Sequence, residues 1–181
     1  EVSGMKQFME RYGEHMEFCQ IQLNYLDWTL QHAKEKVALL NQWNLPIIVM
    51  EPVKGGALAS LPEDVVRPFR QTAPNRSLAA WAVRFAASLP GVLTVLSGMS
   101  NQAQMLDNTM AMANFAPFSA AEQAAVEAVM EAIRNLPTIP CTGCQYCEAG
   151  CPAKIEIRRV FEAYNMELQF GDKPRAQGHY N

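Results

Sequence analysis

Three short apolar runs, each followed by helix-patterned sequence, limit what this chain can fold into. The first, Phe18-Cys-Gln-Ile-Gln-Leu-Asn24, places Phe18, Cys19, Ile21 and Leu23 among polar residues, the pattern of a half-buried strand. The second, Ile47-Ile-Val-Met50, is wholly apolar, as expected of a strand buried on both faces. Pro90-Gly91 turns the chain into the third, Val92 to Leu96. Strands that alternate with helices pair in parallel, because each return crosses over through a helix. Parallel strands gather their functional loops at their C-terminal ends. Here those ends are residues 22–25, 51–56 and 97–101.

The segments between the strands carry helical periodicity. A short polar helix is expected over 5–15. Another is expected from Trp28 to Trp43, with Leu30, Ala33, Val37 and Leu40 recurring at helical spacing until Asn44-Leu-Pro46 ends it. Residues 57–76 are mixed and Pro-punctuated, with no assignable element. Ser77 is placed to cap a helix to about 88 that carries Leu78, Trp81, Ala82 and Phe85 on one face. Ser100 is placed to cap another to about 113. Ser119-Ala-Ala-Glu122 reads as a capping box opening a helix to Asn135. Ile157, Val160, Phe161, Tyr164 and Leu168 form one apolar stripe on a later helix. From Gly171 the sequence is a polar tail.

A chain of 181 residues that is 49% hydrophobic can bury a substantial core. A net charge of −3 without basic runs argues against nucleic-acid and membrane-surface partners. No apolar stretch has the length of a membrane span and no secretory leader is visible. Cytoplasm is therefore the expected location. The chain starts at Glu1 with a helix feeding a strand, so it reads as a fragment. Three strands leave two open edges, and association with itself or with a missing N-terminal half is expected.

Four of the five cysteines fall in Cys141-Thr-Gly-Cys144-Gln-Tyr-Cys147-Glu-Ala-Gly-Cys151-Pro152. This is the C-x₂-C-x₂-C-x₃-C-P run of iron–sulfur proteins. Two-residue gaps let one tight loop bring several thiolates onto a small volume, and Gly143 and Gly150 remove Cβ bulk where the backbone must fold back. A [4Fe–4S] cluster on Cys141, Cys144, Cys147 and Cys151 is the expected occupant. Zinc is the alternative, although zinc ligands usually come in two separated pairs. A disulfide would require export, and inert thiols are the blandest option. In two-cluster proteins the fourth cysteine of such a run serves the other cluster. Here either Cys151 closes a single cluster or a remote cysteine replaces it; Cys19 lies in an apolar run and reads as core.

Two strand-end loops suit anions. Glu51-Pro-Val-Lys-Gly-Gly56 can offer backbone amides to phosphate oxygens, with Lys54 as a point charge, or be only a turn. Ser97-Gly-Met-Ser-Asn101 precedes a helix N-terminus, with Ser100 as a simple cap the alternative. Gln20 and Asn24 can hydrogen-bond an amide-bearing ligand. His15, His32 and His179 are scattered, and no nucleophile–base or paired-carboxylate set stands out.

Taken together, Gln20-Ile-Gln-Leu-Asn24-Tyr25, Met50-Glu-Pro-Val-Lys-Gly-Gly56 and Ser97-Gly-Met-Ser-Asn-Gln-Ala-Gln104-Met-Leu-Asp-Asn108 resemble the last three β/α units of the aldo/keto reductases. The cysteine run resembles the tail of that family's iron–sulfur branch. The resemblance implies an α/β chain comprising a partial TIM (β/α)₈ barrel over 1–136, a small, mostly helical ferredoxin-like 4Fe–4S module over 137–170, and a polar tail over 171–181. It also implies NADP or NAD as cofactor and a small carbonyl substrate for the intact protein, with a redox partner for the cluster. Gln20 would match the glutamine that bonds the nicotinamide carboxamide. Glu51, Val53, Lys54 and Gly55 would lie along the pyrophosphate. Ser97 and Gly98 would also contact the cofactor, Ser100, Asn101 and Gln104 would lie near the adenosine phosphate, and Asp107 with Asn108 would face adenine. Met50 stands where many members stack a tyrosine, Glu51 where they offer serine, and Gln104 where they carry the arginine for a 2′-phosphate. The choice between NADP and NAD is thereby left open. The family's catalytic Asp, Tyr, Lys and His lie on the first four strands, so no residue here is assigned a catalytic role, Tyr25 included. The rival class is a non-catalytic iron–sulfur electron-transfer or scaffold module.

Overall fold

The computed structural model describes residues 2–113, 115–139, 141, 145–171 and 173–180, without the side chains of Thr29 and Leu30. Helix α1 (Val2–Tyr12) and a single 3₁₀ turn lead into β1 (Cys19–Gln22). The short α2 (Asp27–Leu30) and α3 (Ala33–Gln42) carry the chain to β2 (Ile47–Met50). A second 3₁₀ turn, α4 (Glu63–Thr72) and α5 (Leu78–Ala87) precede β3 (Val92–Val95). Then follow α6 (Gln102–Ala113), α7 (Ala120–Arg134), α8 (Tyr146–Ala149), α9 (Ile157–Phe170) and α10 (Lys173–Tyr180).

The three strands pair in parallel in the order β1-β2-β3, as their alternation with helices requires. Cys19 aligns with Ile47 and Ile47 with Val92; the β2–β3 register then shifts by one residue between Ile47 and Ile48. Leu23 N donates to Met50 O at 3.1 Å and Leu96 N to Val49 O at 2.8 Å, so pairing persists to the points where the loops begin. At the opposite end Gly91 adopts φ +81°, and a Cβ there would stand 2.0 Å from Asn41 Oδ1. Only glycine fits, because Asn41 Nδ2 closes this turn by donating to Pro90 O at 3.1 Å.

Burial on β2 departs from the two-sided expectation. Ile47 and Val49 are fully buried with Ile21 under the helices, whereas Met50 is 38% exposed and Gln20, Thr94 and Leu96 share its open face. Among the described residues, helices cover one face of the sheet only, and a parallel sheet is stable when both faces are covered. The covered face joins one core in which Tyr25, Phe69, Trp81 and Phe118 pack ring on ring, Phe69 stacking on Trp81 at 4.3 Å.

Four further differences from expectation have local causes. The helix expected from Trp28 to Trp43 is two helices, because His32 turns left-handed (φ +53°) and breaks the ladder while the apolar spacing runs on through it. Residues 57–76 contain α4, which buries Val65, Val66 and Phe69 despite Pro68 in its interior. On α9 the deepest positions are Ala163 and Phe170, while Tyr164 is 48% exposed. The stripe is rotated because α10 packs along α9 and Phe170 reaches the main core. Residues 173–180, expected to be a tail, form that α10, with Ala176 buried. Ser77 and Ser119 cap α5 and α7 as read from sequence, the latter in a complete capping box with Glu122.

Candidate functional site

The loops after β2 and β3 meet at the C-terminal edge of the sheet and enclose a hollow of about 230 Å³. Glu51, Val53 and Gly55 line it from the first loop. Ser97 and Gly98 line it from the second, and Gln104, Asp107 and Asn108 from α6. Residues up to 57 positions apart are thus brought together. Gln20, Lys54, Ser100 and Asn101 are not among its lining. A larger hollow of about 690 Å³ opens elsewhere, between α5 and α7, with Trp28, Phe85, Phe118 and Met130 on its wall. It holds none of the strand-end loops.

The first loop hangs from a buried carboxylate. Asp27, 1% exposed, accepts from Gln22 Nε2 at 2.7 Å and Asn24 Nδ2 at 2.8 Å, and its amide donates to Asn24 Oδ1 at 2.8 Å. Lys54 Nζ lies 2.7 Å from Asp27 Oδ1. Asn24 Nδ2 also donates to Glu51 O at 3.0 Å. A desolvated carboxylate is tolerated only when its lone pairs are met, and here two amides and an ammonium meet them. Asn24 is fully buried in this network rather than open to a ligand, and the Lys54 ammonium pairs with Asp27. Asp27 itself went unnoticed in the sequence; an acid five residues past the end of β1, after Gln22 and Asn24, was the available signal.

The loop backbone is sharply bent. Glu51 and Lys54 hold φ near +58° and +51°, and Gly55 and Gly56 follow at +60° and +92°. The turn closes on itself: Lys54 N donates to Glu51 O at 3.0 Å and Gly56 N to Val53 O at 3.1 Å, and Ala57 N and Leu58 N also donate back into it. In the second loop, the amides of Ser97, Gly98 and Met99 donate to no acceptor among the described residues. Asn101 Oδ1 accepts from Gln104 N at 3.0 Å and so caps α6, the role expected of Ser100. Ser100 instead donates through N and Oγ to Gln104 Oε1 at 2.8 and 3.0 Å. Asn108 Nδ2 donates to Ser97 Oγ at 2.9 Å, and Ser77 Oγ donates to Asp107 Oδ2 at 2.5 Å. Gln20 stands on the open sheet face, its Nε2 contacting Met50 Sδ at 3.1 Å.

A model of the aldo/keto reductase family matches residues 3–131, most of the chain. The chain belongs to the aldo/keto reductase family. Among solved structures it is similar to the aldo-keto reductase AKR11C1 from Bacillus halodurans in its holo form, with a TM-score of 0.52 and 21% identity over 68% of this chain and 46% of that one. The apo form of the same protein gives a TM-score of 0.55 and 21% identity over 70% and 47%. At that identity the likeness concerns the fold. No curated protein matches the sequence. This aldo/keto reductase chain spans about half the length of those solved relatives, and its three-stranded parallel sheet with flanking helices accords with part of a barrel.

Among the described residues, no tyrosine or histidine lines the hollow as a proton donor. Tyr25 is fully buried between Phe69 and Phe85, its hydroxyl has no hydrogen-bond partner among the described residues, and burial pushes its pKa far up. It serves as core.

Of the cysteine run, Cys144 lies outside the described residues. Cys141 and Cys147 are exposed and Cys151 is half-buried, all as free thiols. Among the described residues no three of His, Cys, Asp or Glu come close enough to hold a metal ion. The loop is nonetheless held at both ends. Asn165 of α9 pairs with Ile139, accepting from its amide at 2.7 Å and donating to its carbonyl at 2.8 Å. Glu148 of α8 accepts from Arg158 N at 2.9 Å, and Ile155 N donates to Cys151 Sγ at 3.4 Å. Cys19 sits half-buried in β1, where burial raises its thiol pKa. No described helix is long and apolar enough to cross a membrane.

Proposed function

We propose that this chain supplies the nucleotide-binding portion of an NAD(P)H-dependent oxidoreductase that interconverts small carbonyl compounds and alcohols. The observation that carries the reading is the hollow bounded by two strand-end loops at the C-terminal edge of a parallel sheet. A dinucleotide would meet the amides of Ser97, Gly98 and Met99, which donate to no acceptor among the described residues, and polar edges for a base at Asp107 and Asn108. The nicotinamide would supply hydride to the carbonyl carbon. The role of this chain is to bind and orient the nucleotide: Asp27 holds the first loop in shape, and Gln104 and Asn108 hold the second. The proton donor would come from the remainder of the barrel, which would also cover the open sheet face.

The cysteine run forms the second part of the proposal, an iron–sulfur branch member with domains at 1–136 and 137–170. Four thiols are soft donors suited to a [4Fe–4S] cluster on Cys141, Cys144, Cys147 and Cys151. The Ile155 amide donates to Cys151 Sγ at 3.4 Å, the kind of hydrogen bond that orients a ligating sulfur. Such a cluster would pass electrons to a partner or brace the module. The exposed position of Cys141 and Cys147 also favours the rival reading, a pure electron-transfer or scaffold module.

Calorimetric titration with NADPH and NADH, on this chain alone and together with the upstream half of a barrel, tests the first part. Binding of either nucleotide is expected, with slowed amide exchange at 51–58 and 97–108. Absence of binding in both preparations leaves only the module reading. Anaerobic purification tests the second part: iron and sulfide in equal amounts with broad visible absorption are expected, and a colourless zinc protein would exclude the cluster.

A further inference from the structure

The hollow at the nucleotide loops lacks a cation of its own. Glu51 and Asp107 line it, and no lysine or arginine is among its lining residues. The one cation of the first loop, Lys54, has its ammonium 2.7 Å from a carboxylate that is 1% exposed, so its charge is committed below the loop. A pyrophosphate entering such a site meets two carboxylates, whose charge opposes its own.

A cation arrives from the other end of the chain. Arg175, in the first turn of α10, donates from Nη1 to Gly55 O at 3.2 Å, across 120 residues of sequence. Its Nη2 lies 3.2 Å from where a Cβ on Gly55 would be, and Glu51 Oε2 lies 3.7 Å from the same point. Glycine at 55 therefore does two things: it permits φ +60°, and it leaves the guanidinium room against the loop. The approach is anchored. Ala176, the next residue, is 4% exposed, and Phe170 at the end of α9 is built into the main core. Arg175 is exposed and adjoins the hollow through Gly55, which lines it, rather than lining it itself.

We infer that Arg175 is a phosphate-binding residue of the nucleotide site, contributed by the C-terminal helix α10 to the loop after β2. A planar guanidinium can bond one phosphate oxygen while still holding Gly55 O, which an ammonium on a single point cannot do as well. The site would then comprise the barrel loops and the appendage together. The inference rests on the nucleotide reading above.

Calorimetry on the full chain with Arg175→Ala and Arg175→Lys tests it, using NADPH as the phosphate-bearing probe and adenosine as the phosphate-free one. Arg175→Ala is expected to weaken NADPH binding by about ten-fold or more, the scale of one hydrogen bond to a charged group, and to flatten its dependence on salt. Arg175→Lys should recover part of the loss, and adenosine affinity should not change. NADPH should also slow amide exchange in residues 173–180 of the unmutated chain, a readout that does not depend on how any variant folds. Undiminished NADPH affinity and salt dependence in Arg175→Ala, or no protection of 173–180, overturns the role of Arg175 while leaving the nucleotide site standing. Failure of the unmutated chain to bind NADPH or NADH, alone or with the upstream half, overturns both.

Discussion

The turn at 51–56 is held by groups far away in sequence, whereas the loop at 97–101 is held mostly by its immediate neighbours. Asp27 and Asn24 grip Lys54 and Glu51 across 27 residues from inside the core. Gln104 closes the second loop onto Ser100 and Asn101 at separations of three and four residues, on an exposed surface. The two loops line one hollow, but buried charge-assisted bonds are costly to break, while water replaces exposed local ones cheaply. The first loop is therefore the rigid wall of the site and the second the adjustable one.

The contrast is broken most directly at Asp27. Replacing it with Ala strips partners from Gln22, Asn24 and Lys54 together and should cost about 3 kcal/mol in urea unfolding. Amide exchange at 51–58 should accelerate as well. A loss below about 1 kcal/mol would mean that the first loop is not held from below. A glycine pair sharpens the comparison at the next scale. Gly55→Ala at φ +60° should cost about 1–2 kcal/mol. Gly98→Ala in the second loop, with open space around its Cα and no positive φ, should stay within about 0.5 kcal/mol of the unmutated chain. Equal effects at both positions would erase the distinction.

On the second loop, Gln104→Ala should cost only about 0.5–1 kcal/mol, and its effect should appear in exchange rates at 97–103 before it appears in global stability. Smallest of all is Tyr25→Phe. It removes a buried hydroxyl that has no partner among the described residues, so stability should be unchanged within about 0.5 kcal/mol or rise. A larger loss would reveal a partner for that hydroxyl.

Glu122 combines both kinds of contact and gives a pH test. Burial raises its pKa, but the backbone and hydroxyl of Ser119 and the guanidinium of Arg76, 2.5 Å away, outweigh burial and hold it below the ordinary 4.5. The unfolded state then binds the proton more readily than the folded one. The stabilisation is complete above the unfolded value and is lost as pH falls through it toward the lower folded value. Acid unfolding of Glu122→Gln should be less steep in that window; an unchanged profile would remove the role of the Arg76 pair.

Much of the fold was legible because its causes are local. Apolar runs placed β1, β2 and β3 within a few residues, and Ser77 and Ser119 announced α5 and α7 through side chains three positions from the amides they cap. The break at His32 was hidden because an apolar period continues through a backbone change it does not encode. Helix α10 was hidden because Lys173–Tyr180 buries only Ala176, and packing on α9 rather than any stripe of its own supports it. The site divides in the same way. Glu51, Gly55 and Ser97 stood out as strand-end residues and Gln104 and Asn108 only through the family resemblance; all five line the hollow.

The sequence alone determined the parallel alternation, the helix starts and the spacing of four soft thiols, since each is a relation among residues a few positions apart. Tertiary structure alone decided which charges meet. Lys54 turns down to Asp27 across 27 residues and Arg175 comes in over Gly55 across 120, and no period or local motif carries such a distance. Pair energies fall off over a few ångströms of space and are indifferent to distance along the chain, so the assignment of cations to anions waits on the packing of the core.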